Sequence, residues 1–367
     1  MLSKFCVEGF KSFSEKLVLD LRKTCNYEFN TDAVDHGIVN KGIIYGFNGC
    51  GKSNLGLALF DIVSHLTDKQ CNSDLFTPYL CLEDTFKLAS FEYHFDFHGQ
   101  NLIYSYQKSN FGVLVTESLF IAGRQVLQYD FRTQKGYTKL AGTETLNLSE
   151  SDSDISRVKF IRSNAILSNT IENKLFLSFI RFIDNMLLFY SLDNNRYIGF
   201  KTGADDIGKS IIQQGKIKDF ELFLRECNIN ISLSEKMIDG EPALMVHYKN
   251  VDVSFFRVAS RGTKALALFY YWNLIFEQTS FVFMDEFDAF YHFELAEQIV
   301  RLLKPLKNTQ ILLTTHNTDL LSNDLLRPDC FFWMYNNHIN PLCDLTEKEI
   351  RKAHNLQKMF KAGAFNV

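Results

Sequence analysis

A glycine-rich segment is the part of this sequence whose residue types and spacing most directly suggest chemistry. Residues 46–53 read Gly-Phe-Asn-Gly-Cys-Gly-Lys-Ser and match the pattern G-x-x-x-x-G-K-[ST] at every position. Glycines allow successive backbone N–H groups to converge on phosphate oxygens, which side chains would otherwise block. The segment therefore predicts a phosphate-binding loop, with a plain glycine-rich turn as the alternative.

The positions of this loop have separate expected roles in binding ATP. We expect Lys52 to act as a catalytic cation that reaches the β- and γ-phosphates, and the Ser53 hydroxyl to ligate Mg²⁺. The helix that should follow points the positive end of its dipole at the same anion. The residues expected to contact the nucleotide are Gly46, Asn48, Gly49, Cys50, Gly51, Lys52, Ser53 and Asn54.

Two adjacent carboxylates follow a short apolar run at residues 281–284. Four consecutive apolar residues are typical of a strand that is buried on both faces, so Asp285 and Glu286 should emerge at its carboxyl end. Asp285 is suited to hold Mg²⁺, directly or through water. Glu286 is suited to polarise the attacking water. The alternative is an acidic turn after a core strand.

Two further segments carry polar groups that suit phosphate. Residues 259–263, Ala-Ser-Arg-Gly-Thr, precede a predicted helix and leave backbone donors free for an anion. One nucleotide needs only one phosphate loop. We therefore expect this second helix start to bind a phosphate of the ATP that is held by another copy of the chain. His316 follows a predicted strand, where a neutral imidazole can hydrogen-bond a γ-phosphate or the catalytic water. The alternative for His316 is an ordinary loop histidine.

The elements that must position these residues are also readable from the sequence. An apolar strand, Lys41–Tyr45, precedes the phosphate loop, and a helix follows it. After residue 260, helices at 263–278 and 294–306 alternate with strands at 281–284, 310–314 and 331–335. This alternation predicts an α/β sheet covered by helices.

The remaining segments divide into strand-rich and helix-rich parts. Residues 2–20 predict a strand, a turn at Gly9–Ser14 and a second strand through Leu17–Leu21. The β-rich segments at 86–97, 102–107, 113–121 and 125–131 then predict a mostly antiparallel block. Helical spacing is predicted at 155–192 and 207–227, followed by strands at 229–233 and 243–247.

The polar, acidic residues 148–156 mark the clearest domain boundary. We predict an N-terminal ATPase lobe at 1–147, which contains the phosphate loop and an antiparallel β subdomain. A mainly helical insertion should span 148–228, and a C-terminal ATPase lobe should span 229–367. The expected fold class is α/β, with a mixed core sheet, an antiparallel β subdomain and a helical insertion.

Composition limits the functional classes. The chain has 367 residues, 46% of them hydrophobic, which suffices for a sizeable core. Its net charge of −4 argues against a protein that depends on phosphate-backbone contacts. Eight cysteines without a C-x-x-C pair fit a reducing cytosol. Without a membrane-length apolar run or a targeting pattern at the start, we expect a cytoplasmic protein that makes no membrane contact.

Three polar groups have a structural interpretation. His94, Asp96 and His98 share one strand face and could hold a metal, but a solvated strand face also explains them. Residues 151–154 lack the spacing of a Ca²⁺ loop and are interpreted as a linker. The basic residues between 351 and 361 are interpreted as a solvated helix face, with a nucleic-acid or partner contact as the alternative.

The order of the motifs resembles a known group of proteins. The phosphate loop, the Ser-x-Gly segment, the strand with Asp-Glu and the later histidine look like the ABC-type P-loop ATPase heads of RecF and structural-maintenance-of-chromosomes proteins. Residues 7–13, Val-Glu-Gly-Phe-Lys-Ser-Phe, resemble the first strand and turn of those heads. Residues 285–292 and 351–365 resemble the compact bacterial abortive-infection AAA-type ATPases, which include ATPases of anti-phage systems such as PARIS. The resemblance covers most of the chain except about 150–250.

The resemblance implies a homo-oligomer, at least a head-to-head dimer, that assembles around ATP and Mg²⁺. It implies that Ser260 and Gly262 donate to the γ-phosphate held by a partner copy, and that Asp288 contacts the opposing protomer. His316 would be the switch histidine of this group. Two positions depart from the pattern: Arg261 stands where transporters commonly have Gly, and Gln70 is a poorly placed candidate for the Mg²⁺-sensing glutamine.

Three functions follow from these features. The first is the sensor or regulatory ATPase of an anti-phage, abortive-infection system that controls a separate effector, a nuclease or toxin. A separate effector is expected because no second acidic cluster suited to a two-metal nuclease follows His316. The second is a RecF-like DNA-repair or chromosome-associated ATPase that binds DNA. The third is a nucleotide-binding regulator with negligible turnover, against which Glu286 argues because a pure switch needs no water-polarising carboxylate.

Overall fold

The computed structural model describes residues 1–69, 71–83, 85–149, 155–190, 196–199, 206–289 and 293–365. The chain begins with five short strands and a helix: β1 (Leu2–Glu8), β2 (Leu17–Asp20), β3 (Val34–Asp35), β4 (Ile38–Val39), β5 (Lys41–Tyr45) and α1 (Lys52–Leu66). A run of antiparallel strands follows: β6 (Ala89–Phe97), β7 (Gln100–Asn110), β8 (Val113–Ile121), β9 (Arg124–Asp130) and β10 (Lys135–Thr138).

The middle of the chain combines helices and strands: α2 (Arg157–Asn164), α3 (Ile171–Asp184), β11 (Met186–Tyr190), β12 (Arg196–Gly199), α4 (Ile207–Gln213) and α5 (Ile217–Glu226). The last part again alternates: β13 (Leu233–Ile238), β14 (Glu241–Tyr248), β15 (Val251–Ser254), α6 (Phe255–Val258), α7 (Arg261–Asn273), β16 (Phe281–Asp285), α8 (Phe293–Leu303), β17 (Gln310–Thr315), β18 (Phe331–Tyr335), β19 (His338–Pro341) and α9 (Leu356–Lys361). None of the described helices has the length and hydrophobicity of a membrane span.

A mixed sheet of order β12-β11-β16-β17-β5-β18-β19 forms the centre of the molecule. The five inner strands are parallel, and the edge strands β12 and β19 pair antiparallel to them. Every residue of β5, β16 and β17 is buried, as expected for parallel strands covered on both faces. Because these three strands are neighbours and parallel, the segments that follow them meet at one edge of the sheet.

The second sheet is antiparallel, with the order β10-β9-β8-β7-β6-β1-β2. Buried and half-buried residues alternate along β6 and β7, which is the pattern of a sheet with one face on the core. Smaller antiparallel pairings join β13, β14 and β15, and join β3 to β4. The predicted α/β class, with a mixed core sheet and an antiparallel β block, is confirmed.

Helix α1 is fixed to both large sheets by buried contacts. On the core sheet, a Cβ at Gly56 would lie 2.8 Å from the Phe283 ring, so α1 packs directly on β16. On the antiparallel sheet, the buried Asp61 carboxylate accepts hydrogen bonds from Lys108 Nζ at 2.7 Å and Tyr106 OH at 2.8 Å. A buried ion pair is costly to break once it is fully hydrogen-bonded. These contacts set the direction from which α1 approaches the phosphate loop.

The structure differs from the sequence prediction in the middle segment. Helical structure is predicted at 155–192, where two helices, α2 and α3, end at Asn164 and Asp184, and β11 follows and pairs in parallel with β16. Short apolar runs cannot be assigned to helix or buried strand by periodicity alone, and here a long-range pairing decides. The segment 148–228 therefore contributes two strands, β11 and β12, to the core sheet as well as helices.

Other predicted bounds shift by a few residues. The strand predicted at 229–233 begins at Leu233 instead, and the helix predicted at 263–278 ends at Asn273. The strands at 41–45, 113–121 and 331–335 have the predicted bounds. The proposed linker at 151–154 lies outside the described residues.

Candidate functional site

The glycines of residues 46–51 give the segment after β5 its shape. A Cβ at Gly46 would lie 2.5 Å from Cys50 Sγ and 2.6 Å from the Met334 carbonyl oxygen, so a larger residue does not fit. Gly49 and Gly51 have φ angles of 79° and 105°, a region that favours glycine. Gly51 is also the N-cap of α1. The loop therefore turns directly into the N-terminus of α1.

Lys52 lies at the centre of the candidate site. Its buried ammonium donates to the carbonyl oxygens of Gly46 at 3.0 Å and Phe47 at 3.4 Å. The same Nζ lies 3.0 Å from His316 Nε2 and 3.6 Å from Glu286 Oε1. His316 Nε2 and Glu286 Oε1 are 2.7 Å apart. Thus the structure brings together the three residues predicted to be catalytic, one from each segment that follows β5, β16 and β17.

Asp285 ends β16 and is held by a residue that the sequence analysis did not identify. Thr314 Oγ1 donates to Asp285 Oδ1 at 2.8 Å and accepts the N–H of Glu286 at 2.8 Å. Among the described residues, Asp285 Oδ2 has no hydrogen-bond partner. The only sequence signal for Thr314 is a hydroxyl residue at the end of an apolar strand just before His316.

Asp288 is the next acidic residue along this segment. The hydroxyl of Thr315 donates to Asp288 Oδ2 at 2.7 Å, and the N–H of Asn317 donates to the Thr315 hydroxyl at 2.9 Å. Burial raises the pKa of the Asp288 carboxyl. Asp288 is therefore tied to the strand that carries His316. Its expected contact with another protomer stays a prediction.

The other residues of the loop differ in their exposure to solvent. Asn48, Gly49 and Ser53 are exposed, whereas Cys50 is half-buried, and burial raises the pKa of its thiol. Asn54 Nδ2 donates to Ser12 Oγ at 2.8 Å, which joins α1 to the turn between β1 and β2. The exposed loop atoms leave a face of the loop open to a ligand.

The donor set fits Mg²⁺ as a resident cation. Ser53 offers an exposed hydroxyl, and Asp285 offers a carboxylate oxygen with no described partner. Mg²⁺ prefers oxygen ligands and keeps several of its waters, usually with one or two carboxylates and substrate phosphates. Ser53 and Asp285 thus offer the kind of oxygen ligand that Mg²⁺ prefers, and their role as its ligands stays a prediction.

The Ser-x-Gly segment forms the start of α7. Ser260 caps α7, and its Oγ accepts the N–H of Thr263 at 3.1 Å. Ser260 is exposed, and Gly262 lies in the first turn of α7. Within the described part of the chain, no hydrogen bond or ion pair links this helix start to residues 46–54. Ser260 and Gly262 are therefore not hydrogen-bonded to the loop of the same copy.

Several other candidates can be placed briefly. His94 Nε2 lies 2.7 Å from Glu92 Oε1, and Asp96 Oδ1 accepts the N–H of Gly99. The side chains of His94 and Asp96 therefore have different hydrogen-bond partners. Among the described residues, no group of three or more acidic, histidine or cysteine side chains is placed to hold a metal by itself. Gln70 and residues 290–292 lie outside the described residues.

Comparison with known proteins yields one family match. A family model described as "AAA domain, putative AbiEii toxin, Type IV TA system" matches residues 43–322. The matched range contains the phosphate loop, the Ser-x-Gly segment, the two adjacent carboxylates and His316. No curated protein matches the chain.

Solved structures that are similar to this one include head domains of structural-maintenance-of-chromosomes proteins. The SMC head domain from Thermotoga maritima is 17% identical with a TM-score of 0.44, covering 93% of this chain and 98% of that one. An SmcHead bound to the C-winged helix domain of ScpA is 15% identical with a TM-score of 0.47, covering 93% and 97%. An Smc head with an extended coiled coil, bound to the C-terminal domain of ScpA derived from Pyrococcus furiosus, is 14% identical with a TM-score of 0.42, covering 92% and 95%.

Proposed function

The chain belongs to the family of AAA domains described as putative AbiEii toxins of Type IV TA systems and is an ATPase, and from this we propose that it hydrolyses ATP as the sensor or regulatory ATPase of an anti-phage system. The observation that carries the proposed hydrolysis is the convergence of Lys52, Glu286 and His316 beside a glycine-rich loop. Each residue comes from a different segment of the chain, so a single local turn does not explain the cluster.

The proposed site works mainly by positioning and electrostatics, as phosphoryl transfer does in general. Backbone N–H groups of residues 47–52 and the N-terminus of α1 hold the phosphates. Lys52 binds the β- and γ-phosphates, while Ser53 and Asp285 hold Mg²⁺, which when bound neutralises charge on the phosphate oxygens. Glu286 polarises the attacking water. His316, 2.7 Å from that carboxylate, orients it and contacts the γ-phosphate.

The proposed assembly is at least a head-to-head dimer. Ser260 is exposed at the start of α7, and among the described residues neither it nor Gly262 makes a hydrogen bond or ion pair with the loop of the same copy. In a dimer that pairs identical surfaces, the helix start of each copy can face the loop of the other. Ser260 and Gly262 would then donate to the γ-phosphate of the partner copy, and Asp288 would lie at the interface.

The defence role is proposed from the family and from charge. The family description names a putative toxin and a TA system, which favours a role in a defence system. The separate effector, a nuclease or toxin, is a further part of the proposal. The net charge of −4 counts against the alternative, a RecF-like ATPase that acts on DNA. A nucleic-acid contact would require a local basic surface, for which the basic residues of 351–361 are the candidate.

Phage plating on cells that carry this gene with its genomic neighbour tests the defence role. We expect plating to fall when both genes are present and to return to the level of empty cells when Lys52 is replaced by alanine or the neighbour is deleted. Lys174→Ala, an exposed lysine of α3, serves as the matched control and should protect like the natural chain. Unchanged plating, together with turnover that double-stranded DNA stimulates, would favour the repair alternative instead.

A further inference from the structure

One buried hydroxyl connects the two adjacent carboxylate residues of the proposed site. Thr314 is fully buried near the end of β17. A threonine hydroxyl has one donor and two acceptor positions. Its proton goes to Asp285 Oδ1, and one of its lone pairs accepts the N–H of Glu286, both at 2.8 Å. Thr314 therefore makes different contacts with two residues that have different proposed roles.

The bond to Asp285 separates the two oxygens of that carboxylate. Oδ1 is engaged by Thr314, and Oδ2 has no hydrogen-bond partner among the described residues. The carboxylate is thus fixed in rotation, with one oxygen left for a cation. Groups that hydrogen-bond to a ligating carboxylate orient it, and their loss typically costs 10- to 100-fold in metal affinity or activity.

The contacts with the next residues fix an unusual backbone conformation. Glu286 has a φ angle of 49°, which is uncommon and strained for a residue other than glycine. The Thr314 hydroxyl accepts the Glu286 N–H, and the Thr314 carbonyl accepts the Phe287 N–H at 3.1 Å. This conformation directs the Glu286 carboxylate to Lys52 and His316.

We infer that Thr314 is a positioning residue of the proposed ATPase site, which sets Asp285 for the cation and Glu286 for the water. The inference rests on the proposed function, because it assigns the cation and the water to those two carboxylates. Thr315 does not share the role. Adjacent residues of a strand point to opposite faces, and the Thr315 hydroxyl donates to Asp288 instead.

Three threonine variants test this inference. Thr314→Val keeps the side-chain shape and loses the hydroxyl, whereas Thr314→Ser keeps the hydroxyl. Thr309→Val is the matched control, because Thr309 is fully buried and its Oγ1 donates to the carbonyl oxygens of Phe276 and Thr279. It precedes Thr314 by five residues, roughly 16 Å along the strand, and so lies away from the site.

We expect Thr314→Val to raise the Mg²⁺ concentration required for binding of a fluorescent ATP analogue by about 10- to 100-fold, and to lower kcat by a similar factor. The KM for ATP, measured with saturating Mg²⁺, should change less than kcat. Thr314→Ser should behave like the natural chain. Thr309→Val should lower the melting temperature without changing kcat or the Mg²⁺ requirement.

An unchanged Mg²⁺ requirement in Thr314→Val, with only a lower melting temperature, would overturn the inference and make Thr314 a structural residue. The binding measurement does not need turnover. If the natural chain binds Mg²⁺–ATP without hydrolysing it, the proposed hydrolysis fails while the shift in Thr314→Val still supports positioning. If Thr314→Val matches the natural chain in both binding and turnover, only the positioning role fails.

Discussion

Lys52→Ala is expected to weaken ATP binding by at least about 100-fold, since it removes charge-assisted hydrogen bonds to the β- and γ-phosphates that contribute about 1.5–3 kcal/mol each. The ammonium is buried, 3.0 Å from the Gly46 carbonyl oxygen and 3.6 Å from Glu286 Oε1, so neither water nor another cation takes its place easily. Titration with a fluorescent ATP analogue, with saturating Mg²⁺ present, measures the loss.

The fold should survive this change. Alanine has the highest helix propensity, and Lys52 is the first residue of α1, whose attachment to both sheets lies further along the helix at Gly56 and Asp61. Circular dichroism of Lys52→Ala should therefore match that of the natural chain. Lys174→Ala, which removes an exposed lysine of α3, should bind the analogue normally. Near-normal binding by Lys52→Ala would mean that the loop is not the phosphate site.

Glu286→Gln is expected to lower kcat by about 100- to 10,000-fold, the range for removal of a general base, while ATP binding is kept. The amide has nearly the shape of the carboxylate but cannot take a proton from water. It also removes the negative charge that lies 3.6 Å from Lys52 Nζ and that would compete with the γ-phosphate for this ammonium. The variant should therefore hold ATP without turning it over.

Two measurements check the Glu286 prediction. Phosphate release should be almost lost, and size-exclusion chromatography with ATP and Mg²⁺ should show a larger species that persists, because ATP is not consumed. Glu277→Gln, at an exposed position outside the site, is the matched control and should release phosphate at the natural rate. Normal turnover in Glu286→Gln would exclude the role given to this carboxylate.

The sequence predicted which residues lie together at the site better than it predicted the elements that support them, and the chemical roles of these residues stay predictions. Lys52, Glu286 and His316 each follow an apolar strand, and parallel neighbouring strands end at the same edge of a sheet, so their convergence could be predicted without knowing the contacts. The strand order itself could not. It includes β11, whose apolar residues suit a helix or a buried strand until the pairing with β16 decides.

The hydrogen bonds that fix the site were not predictable from local patterns. Thr314 meets Asp285 across 29 residues of sequence, and Lys108 meets Asp61 across 47. Such pairs form because the fold brings distant polar groups into places without water, where each must find a partner. The sequence spacing of a threonine or lysine in a strand does not indicate such a hydrogen bond, so only the structure shows it.

In the proposed dimer, two copies of the chain share each ATP, and mixing two inactive variants tests this sharing. Ser260→Arg should bind ATP but release little phosphate, because the arginine blocks the helix start that serves the partner copy. Lys52→Ala should be inactive because its own loop is lost. A mixed dimer of the two keeps one intact loop facing one intact helix start.

We expect an equimolar mixture of Ser260→Arg and Lys52→Ala to recover about a quarter of the natural phosphate release. Half of randomly paired dimers are mixed, and each has one working site of two. The same variants measured alone should stay near zero. A mixture that is no more active than its parts, or Ser260→Arg alone with natural turnover, would contradict the shared site.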